Sequence, residues 1–149
     1  INWREKALSI FPDNPGVLYD ISKNLYLSKQ PEKAEEYFQK ILVKKYKRFY
    51  NSVGWFYKNH GEFKFAEPYL LKSSEAKISY HADANLAIIY AQQGDYKKAV
   101  DWLEKSKINF PDDPMLDHMR LVYSFYVYPK EQVGDLFNEQ EVNYPGITK

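Results

Sequence analysis

This chain repeats itself, and an internal repeat fixes the kind of fold before any local reading does. Trp3, Glu5, Lys6, Phe11, Pro12, Asp13 and Pro15 recur in the same relative order as Trp102, Glu104, Lys105, Phe110, Pro111, Asp112 and Pro114, at an offset of 99 residues. Three units of 33 residues fill that offset. Between the two copies the alanines Ala34, Ala66 and Ala99 mark equivalent places, with Val133 as a looser fourth, at successive spacings of 32, 33 and 34.

Within each unit apolar residues recur at intervals of three and four, as in Leu18, Ile21, Leu25 or Leu86, Ile89, Tyr90. That is the period of a helix with one buried face. Each stretch is then interrupted, at Lys29-Gln30-Pro31, His60-Gly61-Glu62, Gln93-Gly94-Asp95 and Tyr128-Pro129. Gly61 and Gly94 suit the left-handed residue that ends a helix, and Pro31 and Pro129 suit the first turn of the next. A second helix follows each time, so every unit reads as two helices and two tight turns.

The pattern resembles the tetratricopeptide repeat, a 34-residue helical hairpin. That family prefers small residues at positions eight, twenty and twenty-seven, where helix backbones approach, and large ones at four, seven, eleven and twenty-four, which fill the space between them. The third unit supplies Leu86, Ala87, Tyr90, Gly94, Tyr96, Ala99, Leu103, Ser106 and Pro111 at the expected places, and only Asp83 departs. The second supplies Tyr50, Val53, Gly54, Tyr57, Gly61, Phe63, Ala66, Leu70 and Ser73. The first keeps Leu18, Ile21, Ser22, Leu25, Ala34 and Phe38 but has Lys29 where glycine is preferred, which predicts a different turn. In the fourth, Asp117, Arg120 and Ser124 fall where apolar residues belong, unless the register slips by one.

The resemblance implies an all-α, right-handed superhelical solenoid of stacked helix-turn-helix hairpins, stabilised by neighbour packing on neighbour. It divides the chain into a single solenoid domain of a remnant second helix (1–12), three repeats (15–46, 47–79, 80–113) and a divergent fourth (114–147). Residues 1–12 lack the first helix of their hairpin, and Tyr144-Pro145-Gly146 closes the fourth unit. The chain therefore reads as a piece of a longer array. Trp3 and Trp102, in equivalent second helices, are expected to pack.

In this family first helices line a concave groove. Carried over by position, the groove holds Tyr19, Lys23, Tyr26 and Leu27, then Arg48, Asn51, Ser52, Trp55, Lys58 and Asn59. The third unit adds His81, Ala84, Asn85, Ile88, Ala91 and Gln92, and the fourth Met115, His118, Met119, Val122, Phe125 and Tyr126. Aromatic anchors mixed with amide and cationic donors suit a partner's peptide segment, with Trp55, Tyr19 and Asn85 as the expected central contacts. The clamp with which some relatives grip chaperone tails is not reproduced, since its places hold Tyr19, Lys23, Ser52, His81 and Asn85. The function implied is that of a non-catalytic protein-interaction scaffold. The alternative is a regulatory or sensor module that controls an effector domain outside this sequence.

Nothing in the residues argues for chemistry. His60 lies at a turn and reads as a helix-end cap; His81 and His118 lack a companion carboxylate motif, so no metal and no cofactor is expected. Glu35-Glu36 and Asp112-Asp113 fit helix starts and solvated faces. Lys40, Lys44, Lys45, Lys47 and Arg48 complement helix-end carbonyls or, alternatively, attract an acidic peptide or anionic surface. Twenty-one basic against 20 acidic residues leave a net charge of +1, which does not suit a nucleic-acid partner. No apolar run approaches the roughly 18 residues of a membrane span, and Ile1 to Lys6 lack the apolar core of a signal peptide. Exposed solenoid ends leave room for homo-oligomer formation. The cytoplasm is the favoured compartment, with the bacterial envelope as the alternative.

Overall fold

The structure, a computed structural model, describes residues 2–143. Ile1 and the close of the fourth unit from Tyr144 onward lie outside the described residues. Among those described there are nine helices and no strand: α1 (Trp3–Ile10), α2 (Pro15–Leu27), α3 (Pro31–Val43), α4 (Lys47–Asn59), α5 (Phe63–Glu75), α6 (His81–Gln92), α7 (Tyr96–Lys107), α8 (Pro114–Ser124) and α9 (Lys130–Asn143). They pack as sequential hairpins, α2 on α3, α4 on α5 and α6 on α7, with α9 lying on α8.

Local chemistry sets the boundaries. Asn14 caps α2 by accepting from Gly16 N–H (2.9 Å) and Val17 N–H (3.1 Å), and Asp113 caps α8 through Met115 N–H (2.9 Å) and Leu116 N–H (3.1 Å). Pro15, Pro31 and Pro114 each occupy a first turn, where a missing N–H costs nothing. His60 ends α4, its Nδ1 lying 2.8 Å from the Phe56 carbonyl.

The turn inside the first hairpin does not differ from the others. Lys29 has φ 63°, in the same left-handed region as Gly61 (74°) and Gly94 (83°). The hydrogen bonds are the same as well: Gln30 N–H donates to Leu25 O at 3.0 Å, Glu62 N–H to Tyr57 O at 3.0 Å and Asp95 N–H to Tyr90 O at 2.9 Å. The hairpin geometry dictates the conformation, and lysine accepts strain that glycine avoids.

The chain forms two compact units, Ile1–Ala76 and Lys77–Lys149. In the first, α2 and α4 lie side by side, with α3 and α5 behind them in their hairpins. Its core holds Leu18, Ile21, Ala34, Phe38, Val53, Tyr57, Ala66 and Leu70, all buried. In the second, α6 and α8 lie side by side and α7 packs on both. Ala99, Leu103, Leu116 and Val133 are buried there.

Polar residues at core positions find partners instead of shifting the helix. Asp83, where the repeat prefers a large side chain, is buried and accepts from Trp102 Nε1 (3.0 Å) and Ser106 Oγ (2.7 Å). Asp117, its counterpart in α8, is buried and ion-paired with Lys107 and with Arg120 (3.4 Å). Ser124 donates to the Arg120 carbonyl at 2.6 Å. Asp117, Leu121 and Ser124 of α8 are buried at the spacing of Leu18, Ser22 and Leu25 in α2, so the register does not slip. Trp3 departs from its twin: it is 52% exposed, whereas Trp102 rests against Asp83 and Tyr90 of the helix before it, a helix that α1 lacks in this sequence.

Candidate peptide-binding faces

In the first unit some groove positions are half-buried against neighbouring helices and others are exposed. Tyr19 is engaged, its hydroxyl donating to the Ser52 carbonyl at 3.2 Å and its ring centroid lying 6.0 Å from those of Phe38 and Phe49. Lys23 lies over that ring at 4.5 Å and pairs with Asp20 at 3.1 Å. Tyr26 donates to Glu62 at 3.1 Å and meets Phe56 edge-on at 5.3 Å. These side chains tie α2 to α4 and to the turn that follows it. Burial raises the pKa of both tyrosines, with Asp20 adding to it at Tyr19 and Glu62 at Tyr26.

Trp55 is different, for its indole is 49% exposed. On α4 a spacing of three, four and seven places Arg48, Asn51, Ser52, Trp55 and Asn59 on one face. Arg48 and Asn59 are exposed, and Asn51 and Ser52 half-buried. An aromatic plate is thus set among amide and guanidinium donors. The neighbouring basic segment is partly occupied: Lys44 pairs with Asp13, and Lys40 lies 4.3 Å over the Tyr37 ring.

In the second unit, α6 buries nine of its twelve residues. Asn85 is one of them, 8% exposed, so the structure does not leave it open as a central contact. Ile88 and Gln92 line a cavity of about 280 Å³ with Tyr96, Val122 and Tyr126. Tyr126 stacks on Tyr96 at 4.2 Å with planes 11° apart, which holds that wall flat. Met115 and Val122 of α8, and Phe125 and Tyr126 of the turn that follows it, are exposed apolar side chains. His118 lines another cavity of about 330 Å³ with Tyr80, Pro114 and Met115, while His81 is exposed and leans on the Tyr80 ring at 4.4 Å. No group of three or more metal-ligating side chains converges among the described residues.

The sequence reading missed Glu35. It was expected on a solvated helix start, and Glu36 is indeed exposed, but Glu35 is half-buried and accepts hydrogen bonds from Tyr57, from Tyr69 (3.1 Å) and from Gln39. Burial, reinforced by that carboxylate, pushes both tyrosines far above their ordinary range. The signal available in the sequence was two tyrosines at core places of the second hairpin, whose hydroxyls need an acceptor.

Comparison with known proteins agrees with this architecture. The tetratricopeptide repeat matches residues 84–108. The solved structure described as the functional characterization of Pseudomonas aeruginosa pilF has the same fold, with a TM-score of 0.63 and 23% identity over 92% of this chain. This chain spans 65% of that one. No curated protein matches the chain in sequence. Tetratricopeptide repeats generally serve as non-catalytic protein-interaction scaffolds, and no described helix is long and apolar enough to cross a membrane.

Proposed function

We propose that this tetratricopeptide-repeat protein binds a peptide segment of a partner protein on the exposed faces of its first helices. The observation that carries the reading is Trp55: a half-exposed indole, flanked on its own helix face by Arg48, Asn51 and Asn59. Leaving so large an apolar side chain in water has no folding benefit, whereas covering it with a partner recovers the transfer energy. Amide and guanidinium donors beside it fix the register of an extended or helical backbone. In the second unit the cavity lined by Ile88 and Tyr126, with the exposed apolar side chains of α8 and the turn after it, offers a place for an apolar side chain. The partner is read as protein, since a net charge of +1 lacks the strongly basic balance that phosphate binding draws on.

Selection of peptides from a displayed random library against the full chain tests this. Binders are expected to lose affinity by about 30-fold, on the order of 2 kcal/mol, in Trp55→Ala with the helix content unchanged. Peptides that bind the folded variant as tightly as the parent would remove Trp55 from the site.

A further inference from the structure

We propose a second binding site in the first unit, a pocket for an arginine side chain of a partner, formed by Tyr26, Glu32, Glu35, Tyr57, Glu62 and Phe65. These residues, with Pro31, line a cavity of about 440 Å³ between the start of α3, the end of α4 and the turn into α5. It is independent of the Trp55 reading, since Trp55 is not among its walls.

Two observations together point to the occupant. The first is charge without a counter-charge. Glu32, Glu35 and Glu62 are acidic, and among the described residues no lysine or arginine forms an ion pair with any of them. The donors that do reach them are neutral: Tyr57, Tyr69 and Gln39 to Glu35, and Tyr26 to Glu62. Hydrogen bonds of this kind orient a carboxylate and leave its charge in place.

The second observation is aromatic surface without a cation. This chain readily covers its rings with its own cations: Lys23 lies over Tyr19, Lys40 over Tyr37, Lys98 over Tyr90 and Lys105 over Trp102, at 4.5, 4.3, 4.0 and 4.9 Å. Among the described residues none lies over Tyr26, Tyr57 or Phe65. Phe65 stacks on the buried Tyr57 with centroids 5.5 Å apart and planes 27° apart and is itself exposed, so Phe65 presents an accessible π surface beside the carboxylates. A guanidinium satisfies both features at once. It is flat, stacks on rings, and donates in a fork to carboxylate oxygens, whereas an ammonium is a more strongly hydrated point charge.

The test is an NMR titration of the full chain at low salt with N-acetyl-arginine amide, and with the lysine and norleucine analogues as controls. Saturable amide shifts are expected at residues 26, 32–35, 57 and 61–65, with arginine at least about threefold tighter than lysine and norleucine silent. The Glu32→Gln/Glu62→Gln variant keeps an acceptor for Tyr26 while removing two charges, and should bind about tenfold more weakly. Phe65→Leu, at an exposed position, is a second probe and should weaken binding while preserving helix content. Trp55→Ala should bind arginine like the parent, so failure here and failure of the peptide reading are told apart. Scattered or absent shifts, equal response to norleucine, lysine binding as tightly as arginine, or parental affinity in the folded charge variant would each overturn the assignment.

Discussion

Single residues show where hairpin geometry overrides residue preference. Lys29 holds a left-handed conformation because the turn between α2 and α3 is built on the same hydrogen bonds as the turns at Gly61 and Gly94. Two effects decide what glycine would do there. Relief of the left-handed strain is worth about 1–2 kcal/mol, and the freedom that glycine adds to the unfolded chain takes back about 0.4–1 kcal/mol. Lys29 is exposed and forms no ion pair among the described residues, so nothing else is lost. Lys29→Gly is therefore expected to gain roughly 0.5–1 kcal/mol in urea unfolding, and Lys29→Ala to gain nothing. A glycine variant less stable than the parent would contradict the turn described here. Asp83 makes the complementary point. A carboxylate stands where the repeat prefers bulk, and it is kept because Trp102 and Ser106 supply two donors to it from the facing helix.

At the scale of helices, the small positions of the repeat set how closely a hairpin closes. A Cβ built on Gly54 of α4 would lie 2.4 Å from Leu70 Cγ and 2.5 Å from its Cδ2. Leu70 is fully buried among other core side chains. Gly54→Ala sets a helix-propensity gain of about 1 kcal/mol against an overpacking cost of about 1–3 kcal/mol. The clash involves a branch carbon rather than a flexible tip, so the expected outcome is net destabilisation in thermal unfolding. Equal or greater stability would show that α4 and α5 can move apart at little cost. This spacing was legible in advance: the alternation of Leu18, Ile21 and Leu25, or of Val53, Phe56 and Tyr57, fixes the helix and its buried face from residue types alone. Partnerships were less legible. Tyr19 and Tyr26 look like groove residues by position, yet their hydroxyls are taken by Ser52 and Glu62, 33 and 36 residues away. Asn85 occupies a groove position and is buried, because α6 is enclosed on nearly all its sides. Position within a repeat gives the direction of a side chain and says nothing of what meets it.

For the molecule as a whole, the tyrosines govern how the fold responds to alkali. Burial raises the pKa of Tyr57 and Tyr69, and the adjacent Glu35 adds to the rise; Tyr19, Tyr26, Tyr50 and Tyr123 are raised as well, chiefly by burial. A folded pKa above the unfolded value means that the native chain holds protons which the unfolded chain releases above about pH 10. The unfolded state then binds fewer protons, so stability is whole below that pH and falls as pH rises past it. Absorbance at 295 nm and far-UV circular dichroism, followed together from pH 9 to 13, read this directly. The expected course is an early rise in absorbance from the freely titrating tyrosines with helix intact, then a second, cooperative rise that coincides with loss of helix. Tyr57→Phe/Tyr69→Phe should shrink the second step and flatten the fall in stability with pH. If all the absorbance change came smoothly near pH 10 while the helices persisted, the two hydroxyls would not be held by Glu35 in the interior as described, and the placement of Glu35 and Tyr57 in the wall of the proposed arginine pocket would have to be redrawn.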